Sequence, residues 1–220
     1  MADMIISGII AALTICTCCC YLKFEQIKMN KTLEGILPKN IVQALFGMGM
    51  IISSIAIIMM LSLLYDAFWM FTIKRIIVCT VLWPIALLDY RKHIIPNKII
   101  GAMVISRIAI AVVELILDWK SAKTELLSCL IAAIGILVIL CLMRFIVKDG
   151  IGFGDIKLFT GIGLFFGLKG TFVAVFMSFL VSFFVSIFLL MSKRKNRKEQ
   201  IAFAPSILVG TLLSVVFLGA

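Results

Sequence analysis

The chain has 220 residues, of which 63% are hydrophobic and only 15% charged, whereas soluble domains run at about 45–50% apolar and about 25% charged. Together with a mean hydropathy of +1.21, this excludes a water-soluble globular domain. Lysine and arginine outnumber aspartate and glutamate by 21 to 11, a formal net charge of +10; in so apolar a chain, loop charge that orients membrane helices explains the excess better than nucleic-acid binding.

A helix that crosses a bilayer needs about 20 mainly apolar residues. In chain order, the apolar runs predict an all-α polytopic membrane protein of about eight transmembrane helices: Met4–Leu22, Ile41–Leu64, Ile73–Leu88, Asn97–Leu117, Leu126–Val147, Ile156–Leu168, Thr171–Met191 and Ile201–Leu218. The first run has no basic residue ahead of it and no small-x-small site at its end, so it reads as a helix of the mature protein rather than a signal peptide. The sixth is short and directly follows Gly150-Ile151-Gly152-Phe153-Gly154. A short helix after such a loop is expected to start inside the protein rather than at lipid. The runs divide into an N-terminal two-helix segment, residues 1–72, with a short loop Lys23–Asn40, and a six-helix core, residues 73–220.

With eight spans, the loops alternate sides, and basic residues gather on the cytoplasmic one. The loops after helices one, three, five and seven hold 15 lysines and arginines, among them Arg91, Lys92, Lys98, Arg144, Lys157 and the run Lys193–Lys198. The opposite loops hold 5: Lys74, Arg75, Lys120, Lys123 and Lys169. Both termini are therefore expected outside the cell membrane, and the loops around Asp89 and Asp155 on the cytoplasmic side.

Ionisable groups beside membrane helices are costly and call for an explanation. Asp89 closes the third run in Leu88-Asp89-Tyr90-Arg91-Lys92-His93-Ile94-Ile95-Pro96-Asn97, and Asp155 opens the sixth in Gly152-Phe153-Gly154-Asp155-Ile156-Lys157. A lone aspartate at a helix end is commonly a cap in interfacial water. Two on one predicted face suit amide hydrolysis, because one carboxyl can take a proton from water while the other gives one to the carbonyl oxygen or leaving nitrogen. Close together they cannot both ionise easily and share a proton. Glycines at 152 and 154 would let the backbone take positive φ and approach an extended peptide. On helix dipoles alone, the resting proton would lie on Asp89, at a helix C-terminus, and Asp155 would activate water.

Asp89 with Ile95-Pro96-Asn97, then Lys148-Asp149-Gly150-Ile151-Gly152-Phe153-Gly154-Asp155-Ile156-Lys157, and finally Ala202-Phe203-Ala204-Pro205, resemble in order the motifs of the type IV prepilin peptidase family of membrane aspartic proteases. The resemblance implies a peptidase that removes the short basic leader from prepilins or pseudopilins at the cytoplasmic face, with Asp89 and Asp155 catalytic. It also implies supporting roles for Gly152, Gly154, Lys157, Pro96, Asn97 and Pro205. Asp149 could attract the basic leader. The larger family members carry paired Cys-x-x-Cys motifs in a cytoplasmic insert associated with N-methylation; the loop Lys23–Asn40 has no cysteine, so methyl transfer is not expected.

Other features read as structural. Arg107 falls mid-run and should pair with Glu114, seven residues on and nearly on the same face; contact with an acidic residue of a substrate is the alternative. A single histidine, His93, and cysteines at 16, 18, 19, 20, 79, 129 and 141 without zinc-site spacing imply no metal, no cofactor and no required disulfide. The expected partners are the substrate and the lipid bilayer; the oligomeric state is left open. The rival reading is a small transporter with a proton relay, which would place its acids near mid-membrane.

Overall fold

In a computed structural model, residues 48–59, 69–147, 151–191 and 202–219 are described. Among them all regular structure is helical: α1 (Met48–Met59), α2 (Trp69–Lys92), α3 (Asn97–Leu117), α4 (Trp119–Ile146), α5 (Phe153–Met191) and α6 (Ala204–Leu218). Four of these, α2 to α5, are long and apolar enough to cross a membrane, which makes this a multi-pass membrane protein. The expected count was about eight; the first run, Met4–Leu22, lies outside the described residues, and the sixth and seventh fall within α5.

The chain divides into two units, Met1–Pro84 and Ile85–Ala220. In the first, α1 lies against α2 so closely that a Cβ on Gly49 would meet the Trp83 indole at 2.4 Å. The Trp83 indole N–H donates to Ser53 Oγ at 3.1 Å. Lys74 and Arg75, expected in a loop, are buried one turn inside α2, and the Arg75 guanidinium lies over the Phe71 ring.

In the second unit, α4 packs along α5, α5 along α6, and α3 touches both α4 and α5. The predicted third-to-fourth and fourth-to-fifth boundaries have clear local causes. Pro96 precedes α3 in extended conformation, where a proline disfavours continued helix before it. Asp118 closes α3 and opens α4 at once, its side chain accepting the N–H groups of Lys120 and Ser121. Lys120 and Lys123 therefore belong to the first turns of α4 rather than to a loop, and α4 starts seven residues before the expected Leu126.

Helix α5 is two arms. Gly167 has φ 67° and ψ −173° inside it, a combination open essentially to glycine alone. Phe159 and Phe179, 20 residues apart, would be separated by about 30 Å along a straight helix. Their rings stack with centroids 6.0 Å apart, so the chain turns back at Gly167. The 153–166 arm is about 21 Å long, short of the roughly 30 Å hydrocarbon thickness. Both arms meet Phe203, which immediately precedes α6.

Candidate active site

Asp89 sits in the last turn of α2 and is only 7% exposed. The chain leaves that helix through His93, whose N–H donates to Asp89 O at 2.8 Å and whose φ is 50°. Positive φ in a non-glycine residue is uncommon, and it turns Ile94 and Ile95 back toward the carboxylate. The α6 start reaches the same place. Phe203, the residue before α6, offers no side-chain cap, and the Ala204 N–H donates instead to Asp89 Oδ2 at 2.9 Å. Asp89 thus caps α6 from across the fold, satisfying one of the N–H groups that every helix start leaves open. Pro205 follows in the first turn of α6, where its fixed φ and missing N–H cost nothing.

Asp155 lies in the first turn of α5. Gly152 stands just before that helix: its carbonyl accepts the Ile156 N–H at 3.2 Å, and its backbone hydrogen-bonds the Asp155 carboxylate. This is the reciprocal arrangement in which the third helical residue reaches back to the capping backbone. It gives the Gly-x-Gly-Asp spacing a local cause. The positive φ that a glycine permits is not used at either Gly152 or Gly154. Their smallness serves close packing. A Cβ on Gly152 would stand 3.0 Å from Asp155 Oδ2, and one on Gly154 would stand 3.1 Å from the Ile95 side chain.

Asp89 and Asp155, from α2 and α5, line one pocket of about 330 Å³ together with His93, Ile95, Asn97 and Lys157, and the two carboxylates interact electrostatically. At its rim, Lys157 Nζ donates to Asn97 Oδ1 at 3.1 Å, tying the start of α3 to the start of α5. Of the residues singled out in the sequence, Asp89, Asp155, Gly152, Gly154, Asn97 and Lys157 line this pocket; Pro96 shapes the α3 start beside it, Pro205 sits one residue beyond the N–H that holds Asp89, and Asp149 lies outside the described residues. Sequence reasoning missed His93 and Ile95 as wall residues, although both fall in the segment that joins Asp89 to Asn97. It also missed Arg144, which donates to Ile151 O and stacks over the Phe153 ring at 4.0 Å, bracing the approach to Asp155.

Arg107 pairs with Glu114 as its spacing suggests, Nη1 to Oε2 at 2.8 Å, with both side chains buried. Its Nε donates to Leu164 O at 2.7 Å. Held on these two sides and 5% exposed, it is not placed to bind an acidic substrate residue. No group of three or more metal-ligating side chains occurs among the described residues.

Residues 76–189 match the Type IV leader peptidase family, a stretch that holds both aspartates. Over 133 residues the chain is 31% identical to a prepilin leader peptidase/N-methyltransferase of Bacillus subtilis (strain 168), covering 60% of this chain and 51% of that protein. The chain thus spans about half the length of the curated relative it matches. No solved structure matches. Because the family match covers more than half of the sequence, the chain belongs to the Type IV leader peptidase family.

Proposed function

We propose that this family member is a membrane aspartic endopeptidase that cleaves the short basic leader from prepilins or prepilin-like proteins at the cytoplasmic face of the cell membrane. The observation that carries the reading is the convergence of Asp89 and Asp155, 66 residues apart in the chain, on one pocket. In the proposed reaction the ionised carboxylate takes a proton from water as the water attacks the scissile carbonyl. The protonated one gives its proton to the carbonyl oxygen; on collapse of the gem-diol the amine leaves with the proton that came from water, while a gem-diol hydroxyl returns a proton to the second carboxylate and restores the starting pair. Each carboxylate accepts one backbone N–H at a helix start. In this reading the pair shares a single proton, whose place alternates with each transfer of the cycle.

The other sequence-derived roles stand as parts of the same proposal. Gly152, Gly154, Pro96, Asn97, Lys157 and Pro205 shape the pocket or its supports, and Asp149 attracts the basic leader. The peptidase core is assigned to residues 73–220 and the N-terminal membrane segment to 1–72, within an arrangement of about eight spans with both termini outside. The basic residues Arg91, Lys92, Lys98, Arg144 and Lys157 near the pocket favour its facing the cytoplasm. Methyl transfer is left out, since Lys23–Asn40 contains no cysteine. The proton-relay transporter is not favoured, because the buried acid Glu114 lies in the last turn of α3 and is held in an ion pair with Arg107.

The test is leader removal from a prepilin by purified protein in detergent. Asp89→Asn and Asp155→Asn should each abolish cleavage while leaving membrane insertion intact. Full cleavage by either variant would refute the assignment.

A further inference from the structure

The turn at Gly167 breaks a helix within the second unit, and its loose ends are taken up by side chains of two neighbouring helices. In an unbroken helix the Leu168 N–H would bond Leu164 O. Here the Leu168 N–H donates to Ser128 Oγ of α4 at 3.2 Å, and Leu164 O accepts from Arg107 Nε of α3 at 2.7 Å. Arg107 is fixed in turn by Glu114 at 2.8 Å, with Cys129 Sγ at 3.8 Å from its Nη2. Backbone groups freed inside a membrane protein must find such partners, since hydrocarbon offers none. A cation at the C-terminal end of the 153–166 arm also complements the helix dipole there. The fit at the turn is close: a Cβ on Gly167 would stand 3.1 Å from Ser128 Oγ.

The arm held in this way carries Asp155 at its other end, nine residues from Leu164 and about 14 Å along the axis. We propose that Arg107 and Ser128 are positioning residues for catalysis: by clamping the turn they fix the height and tilt of the 153–166 arm, and so the placement of Asp155 against Asp89. Neither residue lines the catalytic pocket, so they act through the arm and not on the substrate. The inference rests on the peptidase reading above. Displacing a catalytic group by about 1 Å can cost about 100-fold in rate, so a loosened clamp should lower kcat and leave KM nearly unchanged.

The experiment compares wild type with Ser128→Ala, Ser128→Thr, Arg107→Lys and the control Ser178→Ala in prepilin cleavage. Ser178 is a buried hydroxyl on the other arm, bonded to Ala174 O. Ser128→Ala and Arg107→Lys should lose roughly 10-fold to 100-fold in kcat with KM within about twofold. Ser128→Thr, which keeps the acceptor, should recover most of the rate, and Ser178→Ala should keep its kcat even where its thermal stability falls. Amide hydrogen exchange of wild type and Ser128→Ala, read over residues 153–168, follows the clamp without any cleavage and should be faster in the variant. Unchanged kcat in both clamp variants, a loss confined to KM, or an equal loss in Ser178→Ala overturns the proposal. A wild type that cleaves no prepilin defeats the peptidase reading instead, and the exchange comparison then decides the clamp: unchanged exchange overturns it.

Discussion

Replacing Gly167 with alanine strikes the one residue on which the reversal of α5 depends. At φ 67° and ψ −173° an L-residue costs about 1–3 kcal/mol. The new Cβ would stand 3.1 Å from Ser128 Oγ, tight enough to push that hydroxyl off the Leu168 N–H, and a lost hydrogen bond of this kind costs about 1 kcal/mol. Alanine returns about 0.4–1 kcal/mol by restricting the unfolded chain. The expected net loss is roughly 1–3.5 kcal/mol, read as the shift in an SDS unfolding titration from detergent micelles. The same substitution on a Ser128→Ala background should cost about 1 kcal/mol less, because the hydroxyl it would displace is already gone. A Gly167→Ala protein within about 0.5 kcal/mol of wild type would refute the geometry of the turn.

Three further outcomes follow from other contacts. Glu114→Leu leaves the Arg107 guanidinium buried without its carboxylate and should destabilise by about 3–5 kcal/mol in the same titration; adding Arg107→Met should restore much of that stability but not the turnover. Asp118→Ala removes the cap of α4 and should cost about 1 kcal/mol, seen as faster amide exchange in the first turn of α4, with cleavage unchanged. Leader cleavage should show a bell-shaped pH dependence. In acid both aspartates are protonated and neither can take the proton of water; in alkali both are ionised and neither can donate. A kcat that stays flat through both limbs would show that the pair does not share the proton as proposed.

The sequence was readable where an apolar run meets a residue that forces an ending. Asn97–Leu117 lies between Pro96 and Asp118, and the observed α3 has those same bounds. It misled where charge was taken as a loop marker. Lys74 and Arg75 are buried in α2, the Arg75 guanidinium over the Phe71 ring, and the exposed Lys120 and Lys123 ride on the first turns of α4, where long basic side chains can lay their apolar stems along a helix. The motif glycines were legible as a site but not in their role: the positive φ that glycine permits is used at Gly167 and Gly219, while Gly152 and Gly154 serve by their smallness. The break between the sixth and seventh runs was legible but displaced: the runs put it after Leu168 and the structure puts it at Gly167, whose loose backbone ends Ser128 and Arg107, 39 and 60 residues away, take up.

The two aspartates are supported by means of very different range. Asp155 draws on Gly152, three residues back in the chain, so its motif carries its own explanation and survives as a short recognisable string. Asp89 draws on the Ala204 N–H, 115 residues on, and a backbone donor leaves no mark in the sequence that side-chain reading could find. That donor reaches Asp89 because α6 starts where it does, and Phe203, the residue before that start, packs against Phe159 and Phe179. Phe159 belongs to the arm that carries Asp155, and Phe179 to the arm folded back upon it. The same aromatic contact therefore links the segment that supports Asp89 to both arms of the helix that holds Asp155, and it forms across the turn at Gly167.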